Sequence, residues 1–189
     1  MFLLGHLGIG SKLVSPWTGG LRKRDVFFGT ILPDLIDKPL YYGLVIITGK
    51  KASELGIISG SRTFGHTALL LVILVLLAAI RKSRLGAGVA LGMMTHLLLD
   101  NLGDHLGPHA LNYRISPLLW PLTGWSFPLI PFESWKEHIW TIKSPFILWA
   151  EVIGLLLLLW DYWQTKNRVD IIERFQIYRA RRKHGLRTR

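Results

Sequence analysis

The chain has 189 residues, half of them hydrophobic and only 19% charged, with no cysteine and a formal net charge of +11. That balance fits one small integral membrane domain rather than a soluble one. It excludes disulfides and thiolate metal sites, so any metal must use histidine, aspartate, glutamate or water. The basic residues gather in Arg22, Lys23 and Arg24, in Arg81, Lys82 and Arg84, and in the tail after Trp163. Each cluster abuts an apolar stretch, which is the positive-inside pattern of a membrane protein and argues against nucleic acid as a partner.

In chain order, the opening MFLLGHLGIG lacks a basic n-region and carries His6 within its apolar run. It reads as the start of a first helix, bent or tilted at the membrane boundary, and not as a cleaved signal. A lone histidine in such a stretch is ordinarily a buried neutral imidazole bonded to a carbonyl. Residues 26–47 are apolar but interrupted by LPDLIDKP. Pro33 and Pro39 disfavour helical backbone before them, so a kinked or loose segment is expected. At membrane depth such backbone must be buried in protein or line a wet cavity. Asp34 and Asp37 are costly there unless they meet a cation, so they are candidates to face a metal or a charged pocket. The alternative pairs Asp37 with Lys38 or Arg62 and leaves Asp34 to cap a turn.

Residues 63–80 and 85–102 form a helical hairpin around the RKSR turn. Near the end of its second helix, His96 and Asp100 stand at i and i+4, roughly 5–6 Å apart at Cβ. That spacing suits one metal ion held by an imidazole nitrogen and a carboxylate oxygen. Arg62, four residues before His66, is placed to grip a phosphate or carboxylate, or to form a structural salt bridge. Asp104, His105 and His109 follow in DHLGPHALN, either as a second metal site or as polar loop residues. Residues 112–135 are rich in proline and tryptophan and read as an interfacial loop or a packed connection. Glu133, Glu137 and His138 have no spacing that singles them out. The clearest span is 145–163, PFILWAEVIGLLLLLWDYW, which approaches the ~20 residues needed to cross a bilayer and has tryptophans near its ends. The tail, 166–189, reads as a basic amphipathic helix on anionic headgroups or as a solvated basic extension.

Placing the three basic clusters in the cytoplasm gives a consistent topology. Residues 26–47 run outward, 63–80 inward, 85–102 outward and 145–163 inward. The predicted fold is an all-α polytopic bundle with about four membrane-embedded helices over 1–165 and a basic cytoplasmic tail helix over 166–189. His66, His96 and Asp100 then reach the same outer membrane level. No nucleophile elbow, P-loop or dinucleotide-binding glycine pattern is present.

Taken in order, Gly5-His6, LPDLID at 32–37, RTFGHT at 62–67, THLLLD at 95–100 and PLLWP at 117–121 resemble the YdjM-like family of membrane-bound metal-dependent hydrolases. The resemblance covers roughly the first 125 residues and is distantly similar, at the level of fold, to the helical zinc-dependent phospholipase C group. It implies that His6, Asp34, His66, His96 and Asp100 fall on metal positions, with Asp37 close by. Two departures stand out. Ser61 replaces a histidine common before the arginine of the third motif, and GDHLGPHALNYRIS is inserted after the HxxxD pair.

These readings together predict an inner-membrane hydrolase with its metal site toward the extracytoplasmic face and its C-terminus in the cytoplasm. One or two divalent ions, Zn²⁺ or Mn²⁺, would activate water toward an ester or phosphoester of a lipid or lipid-linked substrate. Asp37 or Asp34 would orient that water and take its proton, and Arg62 would neutralise developing charge. The alternatives are a non-catalytic metal-binding or scaffold protein and a small ion-coupled transporter.

Overall fold

A computed structural model of the chain describes residues 2–50, 54–58, 60–106, 117–127 and 143–185. Among the described residues every regular element is helical. The order is α1 (Leu3–Gly5), a π turn (His6–Gly10), α2 (Ser11–Val14), a 3-10 turn (Ser15–Trp17) and α3 (Lys23–Thr48). A second 3-10 turn (Phe64–His66), α4 (Ala68–Ile80), α5 (Arg84–Leu106) and α6 (Pro145–Gly185) follow.

The break expected at LPDLIDKP does not occur, because α3 runs through both Pro33 and Pro39. Each proline removes one intrahelical hydrogen bond, a cost of order 3 kcal/mol in an isolated helix. Close packing along α5 offsets that cost, since α3 and α5 form the principal helix pair of the fold. Gly29 and Gly92 let the two backbones meet: a Cβ on Gly29 would collide with the Val89 carbonyl, and one on Gly92 with the Val26 carbonyl. Small residues at a crossing permit this approach in membrane helices, where packing replaces hydrophobic drive. The buried face of α3 therefore carries Thr30, Pro33, Asp37 and Tyr41. The helix stops at Gly49, whose left-handed φ of 65° and N–H bond to the Val45 carbonyl close its last turn.

The segment from Leu3 to Trp17 is helical, with the π turn at its centre, and packs against α6. Glu151 of α6 fastens it by accepting the N–H groups of Phe2 (2.8 Å), Leu4 (2.9 Å) and Gly5 (3.2 Å). Those are the orphan donors of a helix start, which a buried carboxylate satisfies well.

Two helices among the described residues are long and apolar enough to cross a membrane, Arg84–His105 and Pro145–Asn167. The expectation of about four spans is met at that level by two. Helix α4 is apolar but only 13 residues long, about 20 Å at 1.5 Å per residue; α3 has the length but carries Asp34, Asp37 and Lys38 in its middle. In the first apolar window 56% of residues are buried, and in the second 17%, so α5 is central and α6 peripheral. The tail continues α6 as helix to Gly185. The basic clusters of residues 22–24 and 81–84 lie at one end of the bundle, where Lys23 pairs with Asp161 of α6 at 2.6 Å and Gly88 of α5 abuts Asp25.

Candidate metal centre

Three elements bring the polar residues together. Helix α5 supplies His96 and Asp100, α3 supplies Asp34 and Asp37, and the 3-10 turn Phe64–His66 supplies His66. Thr67 ends that turn and caps α4 by accepting the Leu70 N–H at 3.2 Å. The connection at 117–127 fastens the same turn from outside. The Ala68 N–H donates to the Leu118 carbonyl at 2.8 Å, and Phe64 meets the rings of Trp120 and Phe127 edge-on at 5.4 and 5.3 Å. The rest of 112–135, with Glu133, lies outside the described residues, as do His109, Glu137 and His138.

The tautomers follow from the hydrogen bonds. His96 Nδ1 lies 2.7 Å from the Thr30 carbonyl, which can only accept, so Nδ1 carries the proton. Thr30 sits three residues before Pro33, beside the carbonyl that the proline leaves without its helical donor. His66 Nδ1 lies 2.7 Å from Asp37 Oδ2. Asp37 is fully buried and also accepts from the Thr63 N–H (2.6 Å), the Thr63 hydroxyl (2.9 Å) and the Gly65 N–H (2.9 Å). Surrounded by donors, Asp37 is a carboxylate and His66 Nδ1 donates to it.

With Nδ1 engaged in each ring, the Nε2 atoms of His66 and His96 face each other at 3.2 Å, and in the neutral rings both present lone pairs. Asp100 Oδ2 lies 3.4 Å from each of them, and Asp34 Oδ1 lies 3.6 Å from His66 Nε2 and 4.0 Å from His96 Nε2. Two ring nitrogens and two carboxylate oxygens thus converge. A tetrahedral ion with ligands at about 2.0–2.1 Å has edges of about 3.3–3.4 Å. Five of the six edges here measure 3.2, 3.4, 3.4, 3.6 and 4.0 Å. The donor set and its spacing fit a divalent ion, with the Asp34 corner the loosest. The Asp37–His66 pair is the outer support that such ligands commonly have.

His6 stacks on His96 with ring centroids 3.9 Å apart and an interplanar angle of 14°. Its Nε2 lies 3.2 Å from Asp100 Oδ1, the oxygen turned away from His66 and His96, but not in hydrogen-bonding direction. Both His6 nitrogens are buried without a hydrogen-bond partner among the described residues. The ordinary reading of a core histidine bonded to a carbonyl does not hold here.

Carboxylates crowd the site. Among the described residues, Lys38 pairs with Asp34 at 2.6 Å, and Arg62 is shared by Asp100 and Asp104. Arg62 grips Asp104 through Nη1 at 2.7 and 2.8 Å and reaches Asp100 Oδ2 through Nη2 at 3.0 Å. The expected alternative of Asp37 paired with Lys38 or Arg62 is corrected: Lys38 pairs with Asp34, and Arg62 with Asp100 and Asp104. Asp104 and His105 lie in the last turns of α5 and not in a loop. His105 is exposed, with Nδ1 2.8 Å from the Asn101 carbonyl, and is remote from the cluster. A narrow cleft between Arg62, Asn101, Asp104 and Leu118 leads to His66 and Asp100.

Of the seven site residues expected from sequence, His6, Asp34, His66, His96 and Asp100 converge, while Asp37 stands behind His66 and Arg62 at the mouth. Glu151 and the Thr30 carbonyl were not anticipated. A lone carboxylate inside an apolar stretch long enough to cross a membrane is a usable signal for Glu151; nothing in the sequence marks a backbone carbonyl.

The sequence profile of a family described as YdjM inner membrane protein matches residues 3–168. No curated protein and no solved structure matches the chain.

Proposed function

The chain belongs to the YdjM inner membrane protein family, and from that premise we propose that it is a metal-dependent hydrolase of the inner membrane. The observation that carries the reading is the opposed pair of Nε2 atoms, 3.2 Å apart and flanked by two carboxylate oxygens. A divalent ion between them would hold that arrangement and offset the crowded carboxylates. Zn²⁺ or Mn²⁺ suits imidazole and carboxylate donors. His66, His96 and Asp100 are its closest-set ligands, and His6 with Asp100 Oδ1 offers a position for a second ion. When bound, such an ion acts as a Lewis acid and makes a water molecule nucleophilic near neutral pH.

The chain's own residues divide the remaining work. Asp34 Oδ1 stands at the loose corner, where it can accept the proton of an attacking water, while Lys38 on Oδ2 keeps the carboxylate ionised. Asp37 holds the His66 ring, so it positions a ligand and does not itself reach the water. Arg62 supplies positive charge at the mouth for a phosphoryl or carboxyl oxygen. The mouth lies at the end of α5 away from the basic clusters, so under the positive-inside rule it opens to the extracytoplasmic face and the C-terminus is cytoplasmic. A lipid or lipid-linked phosphoester meets it at headgroup level.

The test is hydrolysis by the purified full-length protein, loaded with zinc or manganese, of phospholipid vesicles and of a chromogenic phosphodiester. Metal-dependent turnover abolished in Asp34→Asn supports the enzyme. One observation favours a second reading, a metal-binding scaffold: if Asp34 itself closes the tetrahedron, four protein ligands fill it, as in structural sites. Tightly bound metal with no turnover on any ester would establish that alternative.

A further inference from the structure

At the opposite end of the bundle, a shallow open cleft lies between the N-terminal helical segment, the start of α3 and α6. Its rim carries Lys12, Ser15, Thr18 and Lys23, and its wall includes Phe27 and Leu157. One side is thus cationic and hydroxylated and the other apolar. The level of the cleft in the membrane follows from exposed aromatic residues around it. Trp17 on one side and Trp160, Tyr162 and Trp163 beside Asp161 on the other are 51–69% exposed. Exposed tryptophan and tyrosine mark the depth of lipid headgroups.

The rim cations are not equivalent. Lys23 is held by Asp161 at 2.6 Å, and Arg22 and Arg24 both lean on Asp25 at 2.8 and 3.5 Å. Lys12 has no ion pair among the described residues. It projects from the same face as Ser15, one helical turn on, over a wall of leucine and phenylalanine continuous with the lipid-facing side of α6.

We propose that this cleft binds one anionic phospholipid of the cytoplasmic leaflet, with its phosphate at Lys12 and the adjacent hydroxyls and the upper part of an acyl chain against Phe27 and Leu157. Basic pockets between membrane helices on the cytoplasmic side take anionic headgroups by the same combination of charge and apolar wall. The cleft is separate from the metal centre and does not depend on hydrolysis. The bound lipid ties the N-terminal segment, which carries His6, to α3 and α6.

Native mass spectrometry of the full-length protein with phosphatidylglycerol or phosphatidylcholine tests this directly. Wild type retains one phosphatidylglycerol in preference to phosphatidylcholine. Lys12→Glu weakens that adduct by roughly tenfold or more, since it removes one cation and adds an anion at the headgroup. Leu157→Trp, which fills the apolar wall without changing charge, weakens it as well. Arg81→Glu, an equal charge change at the same membrane face but outside the cleft, leaves the adduct intact. Equal losses in Lys12→Glu and Arg81→Glu would reduce the effect to general surface charge and overturn the site. So would an unchanged adduct in Lys12→Glu, or displacement of the lipid by an equal concentration of soluble glycerol phosphate.

Discussion

The two ends of the bundle treat charge in opposite ways. At the basic end every described carboxylate has a cation beside it: Asp25 lies between Arg22 and Arg24, and Asp161 faces Lys23. The cationic side chains there are 52–72% exposed, so water shares the cost of each pair. At the other end four carboxylates and three imidazoles crowd together, with Lys38 and Arg62 the paired cations among the described residues, and His6, His66, His96, Asp37 and Asp100 are all buried. Surplus charge of one sign is expensive away from water unless a counter-ion joins it. The basic end is paired within the polypeptide, whereas the other end gathers the donors that a metal ion would use.

Substitutions should separate the two ends by size of effect. Asp100→Ala removes the one residue facing both His6 and the His66–His96 pair. Metal affinity, read by competition with a chromophoric chelator, should fall by more than the 10–100-fold typical of outer partners. Asp34→Asn should hold the metal but reduce hydrolysis by about 10²–10⁴-fold, the range for loss of a general base. If Asp34→Asn instead releases the metal, the residue is a full ligand and the scaffold reading gains. Asp37→Asn leaves His66 in place but weakens its anionic support, so metal affinity should drop by about 10–100-fold. Acidification should act in the same direction, because protons compete with the ion for every ligand. At the basic end, Lys23→Ala should change stability by about 1 kcal/mol or less, as exposed pairs do. A large loss of thermal stability in that variant would erase the contrast.

Parts of this arrangement are legible in the sequence. The His96–Asp100 pair follows from helical spacing alone, and the basic clusters bring His66 to the same end before any contact is known. The roles of Asp34 and Asp37 are not legible. Three residues apart on a helix they share a face, and which of them reaches the Nε2 cluster depends on the rotation of α3 set at the Gly29–Val89 contact. Local rules also mislead at LPDLIDKP, since proline penalties are local and the compensation comes from α5, some 60 residues away. The same helix still serves the site, because its Thr30 carbonyl fixes the His96 tautomer. The alternative for His6 fails for a similar reason. Its partner is the His96 ring, which no spacing within the first ten residues could suggest.

The central claim is that a divalent ion resides between His66 and His96. The X-ray absorption spectrum of zinc-loaded protein at the metal edge tests it most directly. The account predicts a four- or five-coordinate shell of nitrogen and oxygen at about 2.0–2.1 Å, with the outer scattering of two imidazoles that falls to one in His96→Ala. A shell without imidazole, or one unchanged in His96→Ala, would contradict it.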